Sequence, residues 1–454
     1  MFLPVETGSI TAFLGEKMKR VLGAAALFAA LPAAAWADDS VTVNGLTFYG
    51  TIDVGAAYQT HGAPINGYFS PTLLYVDSKA SNRAQFTVAP NAMGNSRLGL
   101  KGAEELGGGW IGLFKLETGF DPASGNLSDS VRSIQQQNGV PLAQQSSNGD
   151  SSRAGQAFNQ AAYVGASHPL WGTLTMGRQV TLQGDAINAY DPQYGSYAFS
   201  PIGYSGMAGG SGQTQDFRWD NSAKYLGSYG PARLGLMYAF GGTLTRNDTG
   251  VAVDVGFDYA GLSMDGVYTH KKDEFGAAAL SSAQMLQAPS GAITGTVSDN
   301  DSYSVAAKYD WQAFKFYVGY EYIVWANPSS PLATGAVDIG GYYIFSPNNN
   351  AYAIHKTVDI AWGGLRYAAT PKLDLAAAAY HYGQNSYKGN GCSNTSAASC
   401  SGDLYAFSLT ALYHLTKRFE SYAGLMYSQN LDGLASGFLH NNSIDPTIGF
   451  RYVF

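Results

Sequence analysis

The chain has 454 residues, with 33 Asp and Glu against 26 Lys and Arg for a formal net charge of −7, and only 13% charged side chains beside 31 Tyr and 56 Gly. An acidic balance argues against a nucleic-acid partner, and past the N-terminal segment no apolar run approaches the roughly 18 residues of a membrane-spanning helix. Few charges, many aromatics and many glycines suit alternating strands and tight turns better than an ordinary soluble surface.

At the N-terminus, KMKRVLGAAALFAALPAAAWA sets Lys17, Lys19 and Arg20 before an apolar run and ends on Ala35-Trp36-Ala37. That is the pattern of a secretory signal peptide cleaved after Ala37, so residues 1–37 are the expected signal and 38–454 the expected exported domain. The stretch MFLPVETGSITAFLGE ahead of the basic region is unusual for such a signal, which leaves Met18 as an alternative start and residues 1–17 as a gene-model extension.

From residue 46 onward the chain alternates with period two. In VAVDVGFDY, Val251, Val253, Val255, Phe257 and Tyr259 oppose Ala252, Asp254, Gly256 and Asp258; FKFYVGYEY and DLYAFSLTALYHL follow the same rule. AWGGLRYAA slips out of register and suggests a bulge at Gly363-Gly364, and KLDLAAAAYHY is only weakly patterned. Short links, ELGGG, HPLWG, GSYG and LTKR, alternate with long polar connections at residues 60–93, 121–157, 180–216 and 271–300. Strands counted between them number 16, the first near residues 46–58 and the last 446–454. Half-polar strands with short turns at one end and long loops at the other describe an all-β, antiparallel transmembrane barrel. The last strand, ending GFRYVF, keeps one face apolar to Phe454; in a closed barrel it pairs with the first and meets lipid. Cys392 and Cys400, in the loop GCSNTSAASC of an exported chain, are read as a local disulfide in preference to a metal site.

Several stretches resemble the general porins of Gram-negative bacteria, most closely the beta-proteobacterial type: FYGTIDVGAAY, SRLGLKGAEELGGGWIGLFKLETGF, AAYVGASHPLWGTLTMGRQ, DNSAKY and the terminal GFRYVF. The resemblance implies a homotrimer of water-filled barrels in the outer membrane, each narrowed by a third external loop folded inward. By position that loop is residues 180–216, with Asp185 and Asp191 as its acidic candidates and Tyr190 and Tyr194 either lining the opening or packing the loop against the wall. On the basic wall, Arg97 is similar to a family eyelet arginine, and alternation turns Arg97 and Lys101 inward while Leu98 and Leu100 face lipid. Arg218 has lumen parity, with Trp219 and Tyr225 outward. Arg178 joins this set although it shares parity with Leu174 and Met176, which requires the strand to bend. Gln160 departs from the family, where arginine is common. Phe450, Tyr452 and Phe454 match the signal read by the barrel-assembly machinery, and lipopolysaccharide is an implied neighbour.

The implied function is passive diffusion of small hydrophilic solutes and ions. The alternative is a substrate-selective outer-membrane channel with a saturable site. The scattered histidines fit no catalytic motif and the glycine-rich pieces lack the lysine and helix of a phosphate loop, so no enzyme, cofactor or metal is expected.

Overall fold

The computed structural model describes residues 41–62, 83–127, 130–141, 144–145, 156–203, 217–241, 249–389, 391–393 and 397–454; the expected signal peptide lies outside them. The strands are β1 (Leu46–Gln59), β2 in two pieces (Gln85–Pro90 and Ser96–Gly107), β3 (Trp110–Phe120), β4 (Ala161–His168), β5 (Gly172–Val180), β6 (Arg218–Tyr229), β7 (Ala232–Ala239) and β8 (Gly250–Tyr259). They continue as β9 (Leu262–Ala278), β10 (Thr294–Trp311), β11 (Phe314–Ala326), β12 (Lys356–Thr370), β13 (Leu373–Gln384), β14 (Gly402–His414), β15 (Phe419–Asn430) and β16 (Asn442–Val453). Each is antiparallel to its neighbours in sequence, and β16 returns to β1, with Thr51 opposite Val453 and Ala57 opposite Thr447. The result is a closed barrel of 16 strands. Phe454 is held in the seam: its N–H donates to the Gly50 carbonyl at 3.1 Å and its carbonyl accepts from Gly50 N–H at 2.8 Å.

Burial along the strands is inverted relative to a soluble protein. On β11, Phe316, Val318 and Tyr320 are exposed while Glu321, Ile323 and Trp325 are buried; on β14, Phe407, Leu409 and Tyr413 are exposed while Ser408, Thr410 and Leu412 are buried. Apolar side chains that water would reject thus form the outer surface, as lipid requires. Trp110, Trp171, Tyr259, Tyr309, Trp311, Tyr413 and Phe419 are exposed at the short-turn end, where amphipathic rings suit a membrane interface.

Three boundaries differ from the sequence reading. Residues 271–300 are not mainly loop: β9 and β10 stay paired up to Ala278 opposite Thr294, across an irregularity between Lys271 and Glu274. This hairpin far exceeds the roughly 9–11 residues that cross a bilayer. The expected bulge at Gly363-Gly364 is absent, and the β12 register runs through both glycines. Their bareness serves packing instead, since a Cβ on Gly364 would meet the Pro192 ring at 2.7 Å. Within the expected first loop, Gln85–Pro90 pairs with the outer half of β1, and residues 91–95 then leave the sheet. Asp53 gathers that excursion, its carboxylate accepting from Met93 N–H at 2.7 Å, Gly94 N–H at 3.1 Å and the Tyr422 hydroxyl at 2.6 Å.

The seam between β1 and β16 depends on close backbone approach. A Cβ on Gly449 would lie 2.2 Å from the Tyr422 hydroxyl and 2.9 Å from Gly55 Cα. Gly449→Val should therefore lower the temperature at which the folded band disappears on a heat-modifiability gel, at a cost on the order of 1–3 kcal/mol.

Candidate functional site: a loop docked inside the barrel

After β5 the chain turns into the lumen. The Thr181 hydroxyl accepts from Gly184 N–H at 3.1 Å and caps helix α2 (Leu182–Tyr190), satisfying one of the orphan donors at a helix start. Leu182, Ala186, Ile187 and Tyr190 form its buried face, packed with wall residues that include Met237, Ala252 and Val267. Burying each large apolar side chain contributes about 1.5–3 kcal/mol, so the helix is fixed to the inner wall.

The segment beyond α2 is fastened strand by strand. Trp362 Nε1 donates to the Tyr190 carbonyl at 3.1 Å. Arg366 donates from Nε to the Pro192 carbonyl at 2.8 Å and from Nη2 to the Asp191 carbonyl at 2.6 Å, with its guanidinium 3.6 Å from the Tyr194 ring centre. Gln193 Oε1 accepts from the Thr410 hydroxyl at 2.8 Å, and Phe199 is fully buried where a Cβ on Gly424 would collide with its ring at 2.7 Å. Ala198 N–H donates to the Ala92 carbonyl at 2.9 Å, so the out-of-sheet residues of β2 are a landing for the loop. Residues 181–203 thus run inside the barrel from β5, along β7 to β15, to β2.

The wall of β1 to β4 carries charged side chains instead. Glu117 accepts from the Tyr49 hydroxyl at 2.8 Å and sits 3.1 Å from Lys115 Nζ and 3.5 Å from Arg97 Nε. Lys101 lies with its ammonium 5.4 Å from the Tyr49 ring centre.

The predicted residues divide accordingly. Arg97, whose side chain keeps 32% exposure, and the half-buried Lys101 remain on this wall. Arg178 and Arg218 are each 7% exposed. Arg178 donates from Nε to the Asn159 carbonyl at 2.8 Å and pairs with Asp220 at 2.6 Å, while Arg218 donates from Nε to the Gln160 carbonyl at 2.9 Å and bonds the Gln160 side-chain oxygen. Both fasten the chain entering β4 and do not project as free wall charges. Trp219 is inward, contrary to its expected parity: the β5–β6 ladder shifts between Gly177 and Gln179, leaving an extra residue on β6 and reversing the faces there. The Trp219 ring packs over Gly250 and under the Lys271 ammonium, 5.2 Å away.

On the loop, Asp185 pairs with Lys224. Asp191 is fully buried, accepting from the Tyr380 hydroxyl at 2.6 Å, Gln193 N–H at 3.1 Å and Gly195 N–H at 2.8 Å. It is a clamp within the loop, not a charge facing water; burial pushes its carboxyl above the ordinary range against the pull of those donors and of Arg366. Tyr190 packs the loop to the wall, its hydroxyl 2.9 Å from Ser263 Oγ and accepting from Arg233 at 3.0 Å. Tyr194, at φ 64°, lies under Arg366. Cys392 and Cys400 are disulfide-bonded, and Gln384 Nε2 ties the Cys400 carbonyl to β13 at 2.8 Å. Sequence reasoning missed Lys115, Glu117 and Arg366. Strand parity in LFKLETGF turns Lys115 and Glu117 inward beside Phe114 and Leu116, but nothing local couples Arg366 to residues 191–192.

The profile of the Gram-negative porins matches residues 23–433. The chain belongs to the Gram-negative porin family. An outer membrane porin protein of Bordetella pertussis is 26% identical over 446 residues, covering 91% of this chain and 95% of its own. The anion-selective porin from Comamonas acidovorans has a similar fold, with TM-score 0.60, 17% identity and coverage of 90% and 99%. So has the trimer form of in-vitro folded OmpT, an outer membrane protein of Vibrio cholerae, with TM-score 0.56, 14% identity and coverage of 90% and 99%. As a porin, the protein lies in the outer membrane and forms a channel for passive diffusion.

Every hydrogen bond given above for the Asp191 carboxylate is accepted, so Asp191→Asn turns an N–H toward other donors. Leaving such buried groups unsatisfied costs about 1–3 kcal/mol. The variant should show noisier single-channel current with an unchanged reversal potential across a salt gradient; a shifted reversal potential would instead mean that the carboxylate faces the permeating ions.

Proposed function

We propose that solutes cross between the docked part of loop 3 (residues 181–203) and the wall of β1 to β4, where width sets a size limit for small hydrophilic solutes and ions. The observation that carries this reading is the fastening of the loop inside the lumen by α2, Arg366 and Phe199. Arg97, Lys101 and Lys115 form the basic side and Asp185 the acidic one. Much of this charge is compensated in place: Glu117 sits among Arg97 and Lys115, and Lys224 pairs with Asp185. Gln160 supplies no charge of its own and accepts from Arg218 and Asn95. Close compensation favours mild charge preference over strong selectivity, and the family assignment favours general diffusion over a saturable, substrate-selective site.

The same reading includes a homotrimer, in keeping with the trimer form of the Vibrio cholerae protein, and an outer surface in contact with membrane lipid and lipopolysaccharide. Export uses the signal peptide at residues 1–37. Phe450, Tyr452 and Phe454 serve the barrel-assembly machinery; they project from the outer face of the seam, with Phe450 and Tyr452 exposed, and are free to be read before closure.

Planar bilayers test the proposal. Purified protein should give large ohmic steps in symmetric KCl, in groups of three. Arg97→Gln with Lys115→Gln should move the reversal potential toward cation preference, and Asp185→Asn toward anion preference. Small steps that one solute blocks saturably would overturn general diffusion in favour of a selective site.

A further inference from the structure

Above the barrel, the second, fifth and sixth long connections share an apolar core of their own. Val131 and Ile134 of the short helix α1 (Ser130–Gln135) pack with Phe275, Ile293, Leu332 and Ile344. Polar bonds reinforce the contact: Asn138 accepts from Leu280 N–H at 2.8 Å and donates to the Ala292 carbonyl at 2.7 Å, and Gly139 N–H donates to the Leu280 carbonyl at 2.8 Å.

Strand order gives this cluster its significance. The second connection leaves from β3, and Leu127 still bridges to Phe120 at the end of that strand. Four residues lead from Leu127 to Val131, a reach of at most about 14 Å. Phe275 stands on β9, six strands further round a barrel of 16. At about 4.8 Å per strand that is roughly 29 Å of rim. So short a piece of chain cannot follow the rim over such a distance. Closing the rest of that gap requires the tall β9–β10 hairpin to lean toward the β3 side of the mouth.

We propose that these connections form a fixed bar across the external mouth, held by Val131, Ile134 and Asn138, and that the bar is a size filter in series with loop 3. The inference rests on the channel reading and names a further determinant of which solutes that channel admits. Ions and monosaccharides pass beside the bar; extended oligosaccharides are delayed by it. Its exposed surface is polar, with Arg132 on α1 and Gln136 just past it exposed, which suits brief contact with hydrophilic solutes.

Liposome swelling with sugars from monosaccharide to tetrasaccharide tests the proposal, alongside single-channel conductance in KCl. Val131→Asp with Ile134→Asp places two charges in the small core, and Asn138→Ala removes the bracing bonds without touching that core. Both variants should raise the tetrasaccharide-to-monosaccharide swelling ratio by at least about twofold, because access there is set by width, while KCl conductance changes much less. An unchanged ratio in variants that run as folded barrels on an unheated gel overturns the bar. Wild-type protein that passes neither ions nor monosaccharide overturns the channel reading itself, and the bar with it.

Discussion

A strand in lipid has no water to take up its backbone N–H and C=O groups, so every one must find a partner in the next strand. That requirement decides the closure of β16 on β1 and the place of Phe454 within the seam, bonded in both directions to Gly50. It also explains why Gly55 and Gly449 face each other, since larger side chains would hold apart the two strands that must meet last. Once the ring is closed, an apolar exterior is a consequence of the solvent and no longer a liability.

The closed wall then acts as a rigid surface for what lies inside. Residues 181–203 of loop 3 are held in place because the wall supplies them with an apolar strip for α2, a hydrogen-bonding arginine at Arg366, a bare patch at Gly364 and a backbone acceptor at Ala92. Charges that remain inside are mostly paired, as their partial burial demands. In the proposed channel the opening is shaped by packing and tuned by the imbalance left among Arg97, Lys101, Lys115, Glu117 and Asp185.

Much of this was legible in the sequence. Period-two alternation and the contrast of short and long links gave the barrel and its strand number, because a lipid-facing surface imposes a regular pattern on every strand. Parity placed Arg97 and Lys101 inward for the same reason. It failed at Trp219, where one extra residue on β6 reverses the faces, and at Gly363-Gly364, where missing side chains looked like a slip but make room for Pro192. Loop residues were the least legible. Asp191 reads as a solvated acid until Tyr380, 189 positions away, is seen to bond it, and nothing near Arg366 reveals that it holds the turn at Asp191 and Pro192.

The central claim is that loop 3, fixed within the lumen, sets the width of the channel. The most direct measurement is single-channel conductance of a variant in which residues 182–216 are replaced by a short glycine-serine link, with barrel folding confirmed by heat modifiability. The account predicts ohmic steps several-fold larger than those of the wild type, in keeping with a pore whose narrowest point has been removed. A folded variant with wild-type conductance would contradict it and place the constriction elsewhere.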